Sequence, residues 1–172
     1  MRGGGPQRIL LPVRVSFMAL SMIIALAFNY LPWPDSRFVP DLLALTLTFW
    51  CIHQPRKVNV GVCWLFGLMM DTVNGALMGQ HALAYSLLGF GAHIIHRRVL
   101  WFPLWQQALH VLVLLLISQL TMVAVRMIAG GTYPGTLMFL SSFVSAALWP
   151  IATSLLLAPQ RLPTTRDETR PI

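Results

Sequence analysis

The chain has 172 residues, of which 56% are hydrophobic and only 10% charged, and its mean hydropathy is +0.69. A soluble domain of this length needs far more charge to cover its surface, so the composition excludes one and indicates an integral membrane protein. The net charge of +7 comes from basic residues scattered over short loops with no nucleic-acid-binding module, so membrane topology explains it and nucleic acid does not.

Lipid admits only helices or closed barrels as spanning structures, and the apolar runs here do not alternate as barrel strands would. The expected fold class is therefore an all-α integral membrane protein with six transmembrane helices in one domain, residues 1–160, followed by a short polar tail, 161–172. The first span, about 14–31, follows several arginines and stops at Pro32 and Pro34. No small-residue cleavage site follows Asn29-Tyr30, so this helix reads as retained rather than as a signal peptide. The second span, about 39–54, has its helix start after Pro40 and end before Pro55; the third and fourth, 58–76 and 80–96, meet at a turn containing Gly75 and Gly79. The fifth, 103–128, is closed by GGTYPG, and the sixth, 135–158, contains Trp149-Pro150, where a kink is expected.

With six spans both termini share a side, and ten of the twelve basic residues fall there, leaving only Arg37 and Arg126 opposite. The positive-inside rule places that side in the cytoplasm, which makes this a multi-pass membrane protein with both termini cytoplasmic. Trp33 and Tyr133 then mark the outer interface, and Trp50, Trp101 and Trp105 the inner one.

Catalytic patterns are missing: there is no HExxH, P-loop, GxSxG, glycine-rich dinucleotide turn or Cys-x-x-Cys. Asp167 and Glu168 lie in the tail and Asp35 and Asp41 at the outer surface, so Asp71 is the sole carboxylate within a span. No intramembrane carboxylate pair is left for acid–base hydrolysis, and no catalytic residue, cofactor or metal site is expected. Cys51, His53 and Cys63 offer metal-ligating side chains, but two small buried cysteines and an interfacial histidine are the expected reading. Asp41, after Pro40 at a helix start, can cap free N–H groups at the positive end of the dipole.

Asp71 lies about four residues, or roughly 6 Å of helix rise, from the outer end of its span. Its burial there costs less than the ~2.5–3.5 kcal/mol assigned to the bilayer centre, and is tolerated best if it faces the bundle and finds a donor. Gly67, Asp71, Asn74 and Gly75 share one face of the third span; His81, Tyr85, Gly89, His93 and Arg97 form an i, i+4 stripe on the fourth. Small residues permit close approach and polar groups act as glue, so these faces are either a structural seam or a surface for a partner or ligand. Across the short turn, Asp71 and His81 stand at similar distances from the bend and are expected to pair.

The segments LPWPD (31–35), PDLLALTLTFW (40–50), PRKVNVG (55–61), WLFGLMMDTVNGALMGQHALAYSLLGF (64–90), LWQQAL (104–109) and LWP (148–150) together resemble the MreD family of rod shape-determining proteins. The most specific part is the G-x-x-x-D-x-x-x-G-x-x-x-G-x-H block from Gly67 to His81, which includes Gln80; His53-Gln54 departs mildly from the usual pair before Pro55. The resemblance implies a non-enzymatic scaffold of the bacterial elongation machinery that supports peptidoglycan synthesis and cell shape. Its partners would be MreC first, with MreB, RodA and the elongation-specific penicillin-binding transpeptidase as complex members, besides membrane lipid. It also implies a fold like the six-helix substrate-binding subunits of energy-coupling-factor transporters, so a small-molecule-binding subunit or permease is the alternative function. Asp71, His81, Gly67, Asn74, Gly75, Gly79, Gln80, Tyr85, Asp41 and Trp50 are the candidates for structural or partner-binding roles.

Overall fold

The computed structural model describes residues 13–33, 39–73 and 77–160. Within them the secondary structure is entirely helical: α1 (Val15–Asn29), α2 (Leu42–His53), α3 (Val60–Val73), α4 (Gln80–Val99), α5 (Leu104–Ile128), α6 (Leu140–Ala147) and α7 (Trp149–Leu157), with single 3-10 turns at Thr136–Phe139 and Ala158–Gln160.

Several boundaries have a local cause. Asp41 caps α2 by accepting the Ala44 N–H at 2.9 Å, and α2 stops at Gln54 because the following Pro55 disfavours helical backbone in the residue before it. Asn59 caps α3 by accepting the Val62 N–H at 3.2 Å. Gly79 enters α4 at φ 99°, and Gly130 ends α5 at φ 80°, both in the left-handed region that only glycine adopts cheaply. The last expected span is broken: α6 and α7 with their 3-10 turns are bent by 42° at Leu148, where Pro150 cannot donate into the preceding turn.

Against the expected spans, α1 and α2 are shorter, α4 runs on to Val99 and α5 nearly coincides. α1, α2 and α3 have 15, 12 and 14 residues, whereas a crossing takes about 20. By length and composition, α5 with its 25 residues can cross alone, and the bent α6–α7 pair can form a second crossing. In α2 the Asp41 cap and Pro55 cut the apolar stretch short, because a hydrophobic run limits where a helix can lie and does not set where it stops.

α2 is the core: every residue from Leu43 to Ile52 is buried. It is flanked by α1 and α4, with α5, α6 and α7 closing the remaining sides. α4 also packs against α5, and most extensively against α3. That last approach is very close, because Gly67 lies against the Ala82 backbone and Gly89 against Cys63. The placement of Trp50 corrects the expectation of an interfacial belt residue. Its accessible surface is 0%, its indole N–H donates to the Ser21 hydroxyl at 2.9 Å, and its ring meets Phe17 and Phe49 edge-on. An aromatic near the end of an apolar helix looks the same in sequence whether protein or headgroups surround it. Trp101 and Trp105, by contrast, are 87% and 77% exposed.

Candidate functional site

Two carboxylates organise one end of the bundle, the end that carries the α3–α4 turn. Asp71 lies one turn beyond Gly67 on α3, and the absence of a side chain at Gly67 lets α3 approach α4 closely enough for Asp71 to reach over the start of α4. Asp71 is 2% exposed. Its Oδ2 accepts the Gly79 N–H at 2.8 Å and the Ala82 N–H at 3.3 Å. Its Oδ1 accepts the His81 N–H at 2.8 Å and lies 2.8 Å from the His81 ring Nδ1. A helix start leaves its first N–H groups without acceptors, and here a residue of the preceding helix supplies one. Asp71 is thus a cap for α4 provided from α3, and the histidine contact is one of four. This answers the cost of burying it: every oxygen has donors, and the helix dipole favours the negative charge.

Asp41 does more than cap α2. Its Oδ1 also accepts from the Asn29 side-chain amide at 2.7 Å, and its Oδ2 accepts the Tyr85 hydroxyl at 2.8 Å. Its own N–H donates to the Ser145 hydroxyl at 2.9 Å, which in turn donates to the Ser141 carbonyl at 2.8 Å. Tyr85, fully buried, also meets the His81 ring edge-on at 5.9 Å. The two clusters therefore form one polar path, Asp71–His81–Tyr85–Asp41–Asn29, joining α3, α4, α2 and α1, with α6 tied in through Ser145. Beside it lies a cavity of about 260 Å³, bordered by Asn29, Asp41, Met70, His81, Tyr85 and Gln119 among others. The side-chain oxygens of Asn29 and Gln119 are buried there without a hydrogen-bond partner among the described residues.

Of the residues expected from sequence, the structure brings Gly67, Asp71, Gly79, His81, Tyr85 and Asp41 together. Gln80 is half-buried next to this group, with its backbone N–H on the Leu77 carbonyl at 3.0 Å. Trp50 sits apart, in the other half of α2. Asn74 and Gly75 lie outside the described residues. Sequence reasoning missed Asn29, Ser145 and Gln119. Asn29 is a lone amide closing an apolar helix, a faint signal; nothing in the sequence marks a serine 104 positions away as the partner of Asp41.

The arrangement is suited to fixing geometry. Each carboxylate is occupied by donors on both oxygens, which leaves a poor general base. Cys51 and Cys63 are free thiols with sulfurs 3.5 Å apart, while His53 turns its Nδ1 to the Phe49 carbonyl at 3.0 Å. Among the described residues no three His, Cys, Asp or Glu side chains gather as metal ligands.

The model of the family described as rod shape-determining protein MreD matches residues 9–158. A rod shape-determining protein MreD from Haemophilus influenzae is 30% identical over 141 residues, covering 79% of this chain and 83% of that protein. No solved structure matches the chain. The match spans all seven helices and both carboxylate clusters, and the chain accordingly belongs to the MreD family, membrane proteins of rod-shape determination.

Proposed function

We propose that the protein is a non-enzymatic membrane scaffold of the elongation complex, holding MreC and, through it, supporting peptidoglycan synthesis by RodA and its penicillin-binding transpeptidase alongside MreB. The observation that carries this reading is the family match across residues 9–158. The polar path between Asp71 and Asn29 supports it, because hydrogen bonds between helices fix one arrangement of the bundle and hence one shape of its rim. In this reading both termini are cytoplasmic and the Asp71 end faces outward, which the ten-to-two basic asymmetry of a six-span arrangement supports. Reporter fusions after residues 55 and 98 and at the C-terminus then give cytoplasmic signals, and fusions near 36, 77 and 132 external ones.

Depletion in a rod-shaped host tests the function. Cells round or swell while lipid-linked precursor synthesis continues, and MreC co-purifies from native membranes. The cavity of about 260 Å³ beside Asp41 favours a second reading, a small-molecule-binding subunit or permease of the energy-coupling-factor type. Unchanged cell shape on depletion, with loss of uptake of a defined nutrient and recovery of an ATPase module instead of MreC, selects that reading and rejects the scaffold.

A further inference from the structure

At the end of the bundle away from Asp71, a groove of about 380 Å³ runs between the start of α3 and the second half of α4, lined by Asn59, Val60, Gly61, Phe90, His93 and Ile94. Its two ends differ in chemistry. Towards the middle of the bundle the walls are Phe90 and Ile94, 57% and 65% exposed. At the other end the surroundings are cationic. Arg97 and Arg98 follow His93 and Ile94 at i+4, one helical turn further along the same two rows of α4. Arg56 precedes Asn59 by three residues, and all three arginines are exposed. The carboxylates among the described residues, Asp41 and Asp71, both lie at the far end of the molecule, so none of the three arginines has an ion-pair partner among the described residues.

The groove also offers uncharged donors. The first-turn N–H groups of Val60 and Gly61 have no acceptor within their helix, and the dipole of α3 makes that end favourable for an anion. Gly61 keeps the floor open, since a Cβ there would stand 3.3 Å from the Asn59 side-chain oxygen. His93 keeps its Nδ1 buried without a hydrogen-bond partner among the described residues. Cations and helix N–H groups at one end of an apolar trough match a molecule with an anionic head and a hydrocarbon tail. Basic pockets between membrane helices take anionic lipid heads for the same reason.

We propose that this groove is a binding site for one anionic phospholipid, its phosphate held by Arg97, Arg98 and the start of α3 and an acyl chain lying along Phe90 and Ile94. The site is independent of the scaffold reading, because it rests on the α3–α4 surface alone.

The test is native mass spectrometry of the full chain released from micelles containing equal phosphatidylglycerol and phosphatidylcholine. Wild-type protein retains a single phosphatidylglycerol in preference to phosphatidylcholine, and Arg97→Gln and Arg98→Gln each reduce that preference by about fivefold, the worth of one basic residue near an anionic head. Gly61→Leu, which fills the trough, removes the bound lipid, whereas Arg126→Gln at the opposite end leaves it in place. Inorganic phosphate at equal concentration does not displace the lipid, since it lacks the chain. Equal retention of the two lipids by wild type, an equal loss in Arg126→Gln, or displacement by phosphate overturns the proposal. Should Gly61→Leu not fold, the two arginine variants, exposed and outside the core, still decide it.

Discussion

Replacing Asp71 by alanine strands four donors at once: the N–H groups of Gly79, His81 and Ala82 and the His81 ring. A buried donor left unmade costs ~1–3 kcal/mol. Gly79 and His81 are only half-buried, so water relieves part of this and the low end applies, for a total of about 3–4 kcal/mol. In a chain of this size ~1 kcal/mol moves the melting midpoint by ~2–4 °C, so Asp71→Ala should lower it by about 10 °C in mild detergent, read by size-exclusion after heating. Asp71→Asn keeps one acceptor oxygen but points an amide at two N–H groups, so it should lose about half as much; Asp71→Leu should lose at least as much as alanine. His81→Ala removes one contact in four and should cost about 1 kcal/mol. The Asp71→Ala/His81→Ala double variant should fall short of the summed losses by a similar amount. Equal damage from His81→Ala and Asp71→Ala would refute the assignment of Asp71 as a cap for α4, and strict additivity would refute the side-chain pair.

Gly67→Ala should be strongly destabilising, because its Cβ would lie 2.5 Å from the Ala82 Cα and 2.7 Å from the His81 carbonyl oxygen, forcing α3 off α4 at a cost of ~1–3 kcal/mol or more. Gly91→Ala, whose Cβ meets only the movable Leu114 Cδ2, should be milder, and an equal drop in melting midpoint for both would contradict this. Tyr85→Phe deletes the bond to the Asp41 carboxylate and should cost ~1.5–3 kcal/mol, so an unchanged midpoint would rule that bond out as a stabilising contact. Cys51 and Cys63, both with 0% accessible surface, should resist a maleimide in the folded protein and react fully after denaturation; labelling of the native protein would show that α2 and α3 separate.

The sequence made some of this legible for identifiable reasons. Asp71 stands out because a lone carboxylate in an apolar run needs donors, and a nearby glycine turn makes the next helix start the available source. That the donors are mainly backbone N–H groups was hidden, since backbone groups carry no residue signature. The capping role of Asp41 follows from Pro-Asp at a helix start, but its bonds to Asn29, Tyr85 and Ser145 reach over 12, 44 and 104 residues. Tertiary packing brings those together, and no local pattern encodes it. Gly67 was legible through its i, i+4 relation to Asp71, and the close approach that it permits is the feature that only coordinates reveal. Trp50 was misplaced because hydropathy does not distinguish a helix wrapped by protein from one wrapped by lipid.

That ambiguity bears on how the bundle becomes specific. All ten residues from Leu43 to Ile52 are buried, so rotating α2 about its axis exchanges one apolar surface for another at little hydrophobic cost. Burial cannot choose its rotation, and in lipid it contributes little to helix association in any case. Directional bonds must do both. At one end Asp41 is held by Asn29 of α1, Tyr85 of α4 and Ser145 of α6; in its other half Trp50 is bonded to Ser21 of α1. Two anchors separated along a helix fix its rotation and its register together, which neither fixes alone. The glycine contacts of Gly67 and Gly89 do the same for α3 against α4 by shape. The interhelical bonds of Asp41 and Trp50 thus stand where an otherwise uniform apolar surface would leave the packing of α2 undetermined.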